Sequence, residues 1–568
     1  LKAQAARGRL VIAIVHQPSS NLFRQFDALW ILDKGGVPIY MGHPLEAARH
    51  FRETVHLAGA DRGVCPECGN VNPEQIFALI ESKAIDADGR FTRARRFPPE
   101  FWHDAWRKSA PSPAAAAAAP AEPPPRHLNR PGWLGQLRVF WSRTLRARFA
   151  NRAYVLVNLL EPPALAGLTA WLCHAAPGGT YVLGGNPYLP VYFFMAVIVA
   201  IFLGLSVSAE EIVRDRRVLR RERFLHLSWS AYSGAKMLHI AGLALLQTAL
   251  CAAIGVGALR VPDFFGKLWF ALFSAAVFGG ILGLNVSARF KSAVTTYILL
   301  PLLLLPQMLL GGLIIDYDDL RSRAAPNAYP PWIGELTASR WAFEALAVEQ
   351  HQANAYQKQF EAIDRELSGL DYLVNDRIPA LLGRLDALYL ATPDRIEDIR
   401  ELLVREFRAL ETDSPRLAGF ADAAAALRPP DRAGLEPLKT GLREGSRELQ
   451  AARQAAQGRR NAIQEALLAE HGEEGLAAFV KANANRKIVE LVRHRGLSDP
   501  LREQGGRFVR LSDPVYQPAE SAWGRAPFMA GEKRIGTATF RTYGFDLGAL
   551  WLMNAVLAVC LAARRPKT

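Results

Sequence analysis

The chain has 568 residues, 50% of them hydrophobic and 21% charged, and carries a formal net charge of +14. That length leaves room for several domains, and the apolar residues gather in uninterrupted blocks that read as bilayer spans, which argues against a wholly water-soluble molecule. The positive charge does not make a nucleic-acid surface. The basic residues flank apolar blocks instead of forming one patch with interleaved aromatics, so no nucleic acid is expected as a partner.

Residues 1–90 read as an α/β fragment. Leu10 to Val15 has the pattern of a short buried strand and Ala28 to Leu32 of a second, and Lys34-Gly35-Gly36 turns the chain into a third at Val37 to Met41. Leu10 to Val15 is too short for a signal-peptide core. So few elements bury too little apolar surface to stand alone, so the piece is expected to be the end of a larger domain, in a chain truncated at its start or encoded by a split gene. The first strand delivers His16 and Gln17 into a loop at its carboxyl end, where ligand sites gather. A neutral imidazole there can donate to a phosphate oxygen and accept from an attacking water.

Cys65-Pro66-Glu67-Cys68 has the shape of a zinc knuckle. Zinc takes four ligands, and His50 and His56 upstream offer the missing two; the other reading of Cys65 and Cys68 is a reduced thiol pair. Cys173, Cys251 and Cys560 fall in or at the end of apolar blocks and read as packing residues. Residues 91–130 are expected to be a linker, with a tract rich in Ala and Pro over 109–125.

A spanning helix needs about 20 mostly apolar residues. Six segments qualify: 154–173, 190–209, 235–259, 268–287 and 294–315 within a transmembrane domain of residues 131–349, and 545–562 within a last segment, 544–568. Arginines concentrate before the first span (Arg138, Arg143, Arg146, Arg148, Arg152), after the second (Arg214, Arg216, Arg217, Arg220, Arg221, Arg223) and after the sixth (Arg564, Arg565). The stretch from His174 to Leu189 has neither Lys nor Arg. Basic loops stay on the cytoplasmic side, so both termini are expected in the cytoplasm of a multi-pass protein of the inner or plasma membrane. Within or beside the spans, Glu161, Gln247, Asn285, Gln307, Asp546 and Asn554 are candidates for contact with cargo or a coupled ion. Local readings compete: Glu161 adjoins two helix-breaking prolines, and Asp546 lies at the entrance of its span.

By the parity of the spans, residues 350–543 lie outside the cytoplasm. Phe360, Ile363, Leu367 and Leu370 recur at steps of three and four, as do Ile396, Ile399, Leu403, Phe407 and Leu410, and Leu442, Leu449, Ala456 and Ile463 are seven apart. Such stripes suit helical hairpins packed side by side, serving as a spacer or as a site for an extracytoplasmic partner over 350–530. From Leu497 to Tyr543 the pattern gives way to Gly, Pro and aromatics, as in a compact cap near the membrane. The expected fold is thus a mainly α-helical polytopic membrane protein with an α/β fragment at its start and a helical extracytoplasmic insertion.

Several motifs, in order, resemble one family. Val11-Ile-Ala-Ile-Val15-His16-Gln17-Pro18 resembles the H-loop of ATP-binding cassette (ABC) transporters, particularly the G subfamily, whose nucleotide-binding domain precedes the membrane domain. Phe26 to Gly36, Ile39 to Gly42 and Asn72-Pro73 are similar to the segments that follow it there. Glu210-Glu211-Ile212-Val213-Arg214-Asp215-Arg216, through Arg221-Glu222-Arg223, resembles the cytoplasmic loop that transmits nucleotide-driven motion. Leu300-Pro301 to Pro306-Gln307, with Gly311-Gly312 and Ser339 to Leu346, resembles the fifth span and its external helix. The resemblance implies that His16 is the switch histidine, with Gln17 beside it on the nucleotide. It implies a coupling loop carrying Glu210, Glu211, Arg214, Arg216, Arg221 and Arg223, ATP and Mg as cofactors of the full protein, and a second half-transporter subunit in membrane lipid. The implied activity is ATP-driven export of an unknown substrate. Its rivals are a mechanotransmitter or scaffold that binds an extracytoplasmic partner without transport, and an ATP-independent channel or carrier. The chain departs from the family in holding no G-x-x-x-x-G-K-[ST] phosphate loop, signature sequence or metal-binding aspartate, and in the length of its insertion.

Overall fold

The computed structural model describes residues 1–16, 18–57, 71–110, 131–176, 179–222, 225, 227–315, 317, 329–413, 419–427, 432–494 and 500–563. The chain divides into two compact units, Leu1–Asn129 and Arg130–Thr568.

In the first unit β1 (Leu29–Leu32) pairs antiparallel with β2 (Pro38–Gly42), Trp30 opposite Met41. The turn between them runs through Gly35 and Gly36 at φ 80° and 77°, where a side chain would be strained. Two helices follow, α1 (Pro44–Thr54) and α2 (Pro73–Ile80), each with Pro in its first turn and a capping side chain, His43 and Asn72 respectively. A second hairpin, β3 (Lys83–Ile85) and β4 (Phe91–Arg95), leads to α3 (Pro99–Ser109). Phe51, Trp102, Ile39 and Ile76 form the core, with the rings of Phe51 and Trp102 edge-on at 5.2 Å.

Two expectations fail in this unit. Residues 10–15 form no strand, and Leu10, Ile12 and Ile14 are exposed at 88%, 82% and 92%. A strand needs a ladder partner, and among the described residues none pairs with this segment. Residues 91–109, expected to belong to the linker, instead supply β4 and α3, because Phe97, Trp102 and Trp106 pack onto the core of this unit. The Ala/Pro tract beyond residue 110 lies outside the described residues.

The second unit begins with α4 (Trp133–Phe149). Five helices among the described residues are long and apolar enough to cross a membrane. They contain α5 (Arg152–Cys173), α6 (Leu189–Ser208), α8 (Trp229–Leu259), α9 (Phe265–Arg289) and α17 (Thr542–Ala563), with α7 (Glu211–Arg221) continuing from α6. The chain is a multi-pass membrane protein. The predicted fifth span is shorter than expected: α10 (Ala293–Leu309) has 17 residues and ends before 315. Pro301 and Pro306 remove two amide donors inside it, and Gly312 at φ 85° turns the chain just beyond.

Glycines let α6 and α9 approach backbone to backbone. A Cβ on Gly204 would lie 2.1 Å from the Ala276 carbonyl oxygen, and one on Gly279 would lie 2.2 Å from that of Ile201. In lipid, where apolar contact with a neighbouring helix gains little over contact with acyl chains, such close packing holds helices together.

After α10 come α11 (Ala338–Ala353), buried along almost its whole length, and the insertion. Its longer helices are α12 (Glu361–Asp371), α13 (Ile378–Leu390), α14 (Pro393–Asp413), α15 (Arg432–Asn483) and α16 (Arg486–Arg493). The predicted stripes meet in two cores. Phe360, Ile363 and Leu367 close on Ala456, Leu467 and Leu476 of α15, while Leu381 and Leu385 of α13, Leu403 and Phe407 of α14 and Leu438 and Leu442 of α15 form the other. The stretch from 500 to 541 is built on two antiparallel hairpins, β5 (Leu501–Gln504) with β6 (Arg507–Arg510) and β7 (Glu532–Ile535) with β8 (Ala538–Arg541).

Candidate functional site

The arginine-rich end of the bundle holds a buried ion cluster that joins α4, α7, α8 and α9. Helix α7 is amphipathic: Ile212 is buried against Phe140, Tyr232 and Leu284, while most of its arginines face outward. Its first amides have no partner within the helix. Ser287 of α9 supplies one, its hydroxyl oxygen accepting from the Ile212 and Val213 N–H groups at 3.1 Å each. Arg216 donates in return to the Ala288 carbonyl at 2.9 Å, near the end of α9.

Glu211 stands at the centre, only 1% exposed. Arg148 at the end of α4 donates to its Oε1, and Lys236 of α8 donates to its Oε2 at 2.8 Å. Lys236 also lies 2.8 Å from Asp215 Oδ2, which accepts from the Tyr232 hydroxyl at 2.9 Å. Arg143 forks onto both oxygens of Glu222 at 2.8 and 2.9 Å. A buried carboxylate with two cationic donors is compensated, and removing one partner leaves a bare charge. Such a cluster offers no nucleophile with a base beside it. It fixes four helices to one another through charge and hydrogen bonds.

The coupling-loop residues read from the sequence divide accordingly. Glu211 and Arg216 make the contacts above, Arg214 approaches Glu211 only to 3.8 Å at 47% side-chain exposure, Glu210 immediately precedes α7 and Arg221 is exposed at its end. Arg223 lies outside the described residues. The sequence reading missed Arg148 and Lys236, which are 63 and 25 residues from Glu211 and carry no local pattern.

His16 is exposed at a bend and not at the end of a strand, because the strand expected before it does not form. Gln17, Cys65 and Cys68 lie outside the described residues. His50 packs against the Tyr40 ring at 5.3 Å, and burial lowers its pKa; His56 lies two residues beyond α1 at φ 53°. Among the described residues no group of three metal-ligating side chains gathers. Among the described residues no nucleotide or magnesium site is assembled around His16.

The polar residues in the spans mostly bond to neighbouring helices. Gln247 donates to Asn158, Asn285 to the Leu557 carbonyl and Asn554 to that of Ser274, while Gln307 accepts from the Ser339 N–H. Glu161 stays half-buried. Asp546 belongs to a second cluster, missed in sequence: Lys533 Nζ lies 2.8 Å from Glu344 Oε2 and 2.5 Å from Asp546 Oδ1, and Arg340 lies 3.0 Å from Glu344. Burial pushes the Glu344 carboxyl up, but the charges of Arg340 and Lys533 outweigh it and hold it below the ordinary carboxylate range.

Residues 135–350, which contain the first cluster, match the family model of the ABC-2 type transporter. Over these residues the chain is similar to the membrane domain of ABC transporters. It is similar to the ABC transporter ATP-binding/permease protein Rv1747 of Mycobacterium tuberculosis, 24% identical over 61% of this chain and 36% of that protein. It is similar also to ABC transporter G family member 41 of Arabidopsis thaliana, 25% identical over 62% of this chain and 25% of that one. A shorter match, 32% identical over 19% of the chain and 6% of the relative, reaches the Brefeldin A resistance protein of Schizosaccharomyces pombe. The chain thus spans about a third or less of the length of these relatives.

Proposed function

We propose that the chain is the membrane-embedded part of a G-subfamily-like ABC exporter with six spans, α10 being the fifth. In this reading both termini are cytoplasmic, two such halves pair around the pathway, and ATP binding and hydrolysis in the intact protein drive the movement. The observation that carries it is the buried Glu211 cluster. A push on α7 acts at once on α4 through Arg148, on α8 through Lys236 and on α9 through Ser287 and Ala288, and so on two spans and the helix that leads into a third. Names among the relatives, an ATP-binding/permease protein and a G family member, support the same reading. Arginines at this end favour the cytoplasmic side.

The test is vanadate-sensitive ATPase activity and substrate efflux by the intact protein in lipid, with Glu211→Gln beside the wild type. Efflux that falls while ATPase activity persists supports coupling through Glu211. Unchanged efflux overturns it. A second reading, a mechanotransmitter that binds an extracytoplasmic partner, draws on the insertion's own two cores. Specific capture of one envelope component by the insertion, with no efflux, would favour it.

A further inference from the structure

A cavity of about 330 Å³ opens between α4, α5 and α8 at the arginine-rich end of the bundle. Its walls are largely apolar, Leu145, Val155, Leu159, Leu243, Leu246 and Leu250 among them. Polar groups in the wall bond to one another: the Tyr154 hydroxyl lies 3.3 Å from His239 Nε2, and Gln247 Nε2 donates to Asn158 at 3.2 Å. What remains open is an apolar slot. Along α8 it runs from Leu238 to Leu250, about 18 Å at ~1.5 Å per residue. That is close to half of a hydrocarbon layer about 30 Å thick. The slot is continuous with side chains that face outward from the spans, since Leu156, Val157 and Leu160 of α5 and Leu245 of α8 are exposed.

Charge distinguishes its mouth. From Trp133 to Leu160 the chain has Arg138, Arg143, Arg146, Arg148 and Arg152 and no acidic residue. Arg148 is engaged by Glu211 and Arg143 by Glu222, whereas Arg146, next in sequence to the lining residue Leu145, and Arg152, two residues before the lining residue Tyr154, are exposed. A slot about one leaflet deep, apolar along its walls and formed in part by an arginine-rich stretch of chain, matches one class of ligand in shape and charge. We propose that this groove holds an anionic phospholipid, one acyl chain lying along α8 and the phosphate between Arg146 and Arg152. Helices α4 and α8 form the groove and also carry Arg148 and Lys236, so the lipid would bear on the same joint as α7.

The full chain, delipidated and titrated with phosphatidylglycerol or phosphatidylcholine of identical acyl chains, is read by native mass spectrometry. Wild type is expected to retain phosphatidylglycerol at least tenfold better. Arg146→Gln with Arg152→Gln lowers that retention to the phosphatidylcholine level. Gly242→Phe fills the slot: a Cβ at Gly242 meets nothing within 4 Å, so the helix accepts a side chain there, and retention of both lipids falls. Equal retention of the two lipids by the wild type, as for a groove that takes a cargo amphiphile or a helix of a second copy, overturns the proposal. So does a Gly242→Phe protein, folded by its thermal melt, that retains phosphatidylglycerol as wild type does.

Discussion

The two buried ion clusters differ in how tightly they are sealed. Around Glu211 the charges reach outward by steps: Arg148 and Lys236 are buried, Asp215 is 27% exposed and Arg214 is 47% exposed. In the cluster of Arg340, Glu344, Lys533 and Asp546 no side chain exceeds 2% exposure, and it ties α11, β7 and α17 together. Trp341 and Phe545 lie beside Lys533, their ring centroids 4.7 and 5.7 Å from Nζ. Arg340 Nε and Nη1 and Asp546 Oδ2 are left without a partner among the described residues. A cluster with graded access to water can exchange partners as helices shift, because water and outer arginines replace a lost contact at low cost. One sealed on all sides cannot, and a broken contact there is met by nothing. The first is built as a joint and the second as a lock.

The largest effect is expected where the seal is complete. Lys533→Met removes the shared cation from Glu344 and Asp546 and leaves two carboxylates facing each other in a dry site, with Arg340 alone to compensate. A loss of about 3–5 kcal/mol is expected for such a break. Chemical denaturation of the purified chain in detergent, followed by tryptophan fluorescence, measures it. A loss below about 1 kcal/mol would mean that the site relaxes as easily as the joint does, and the contrast would be gone.

Glu211→Gln tests the other side. It deletes the central charge but keeps an oxygen acceptor for Arg148, and Lys236 retains Asp215 at 2.8 Å. The expected cost is about 1–3 kcal/mol, the scale of one hydrogen bond to a charged group. If it matches Lys533→Met, the two clusters are equivalent locks.

Between the two lies an ion pair of the insertion, Arg493 with Asp513, each side chain 14% exposed. Arg493 Nε donates to Oδ1 at 2.6 Å and Ser368 donates to Oδ2 at 2.7 Å. Burial raises the Asp513 pKa, but the hydrogen bonds and charge of Arg493 overcome that and hold it below the ordinary carboxylate value. Because the folded state lowers this pKa, the stabilisation is complete above the unfolded value of about 3.9 and fades as pH falls through the folded one. The Tm gap between wild type and Asp513→Asn should therefore be constant from neutral pH to about pH 5 and close below about pH 4. A gap that widens on acidification contradicts the assignment.

The contrast also marks what the sequence could reveal. The long spans follow from composition, since about 20 apolar residues in a row leave few alternatives to crossing a bilayer. The insertion's hairpins were legible in the spacing of Phe360, Ile363 and Leu367 and of Leu403, Phe407 and Leu410, because helical periodicity is local. Glu211 was found as part of a charged loop, but its burial was not. Burial depends on Arg148 and Lys236 arriving from other helices, just as the lock depends on Lys533, 189 residues from Glu344. The end of α10 was misplaced because an apolar run says nothing of the amides that Pro301 and Pro306 remove.

The segment around His16 is the smallest case and the plainest failure of a pattern read alone. The continuous apolar run of Val11, Ile12, Ala13, Ile14 and Val15 satisfies the rule for a buried strand, yet a strand is stabilised by the neighbours on either side of it. With none among the described residues, Ile12 and Ile14 stand in solvent and His16 with them. His16→Ala in this chain should therefore shift stability by less than about 0.5 kcal/mol, the range of exposed substitutions. Trp102→Ala, in the core of the same unit, should cost about 3–5 kcal/mol. Thermal melts of the two variants decide it. A loss at His16 comparable to that at Trp102 would require the segment to be packed, and would restore the strand that the apolar run implies.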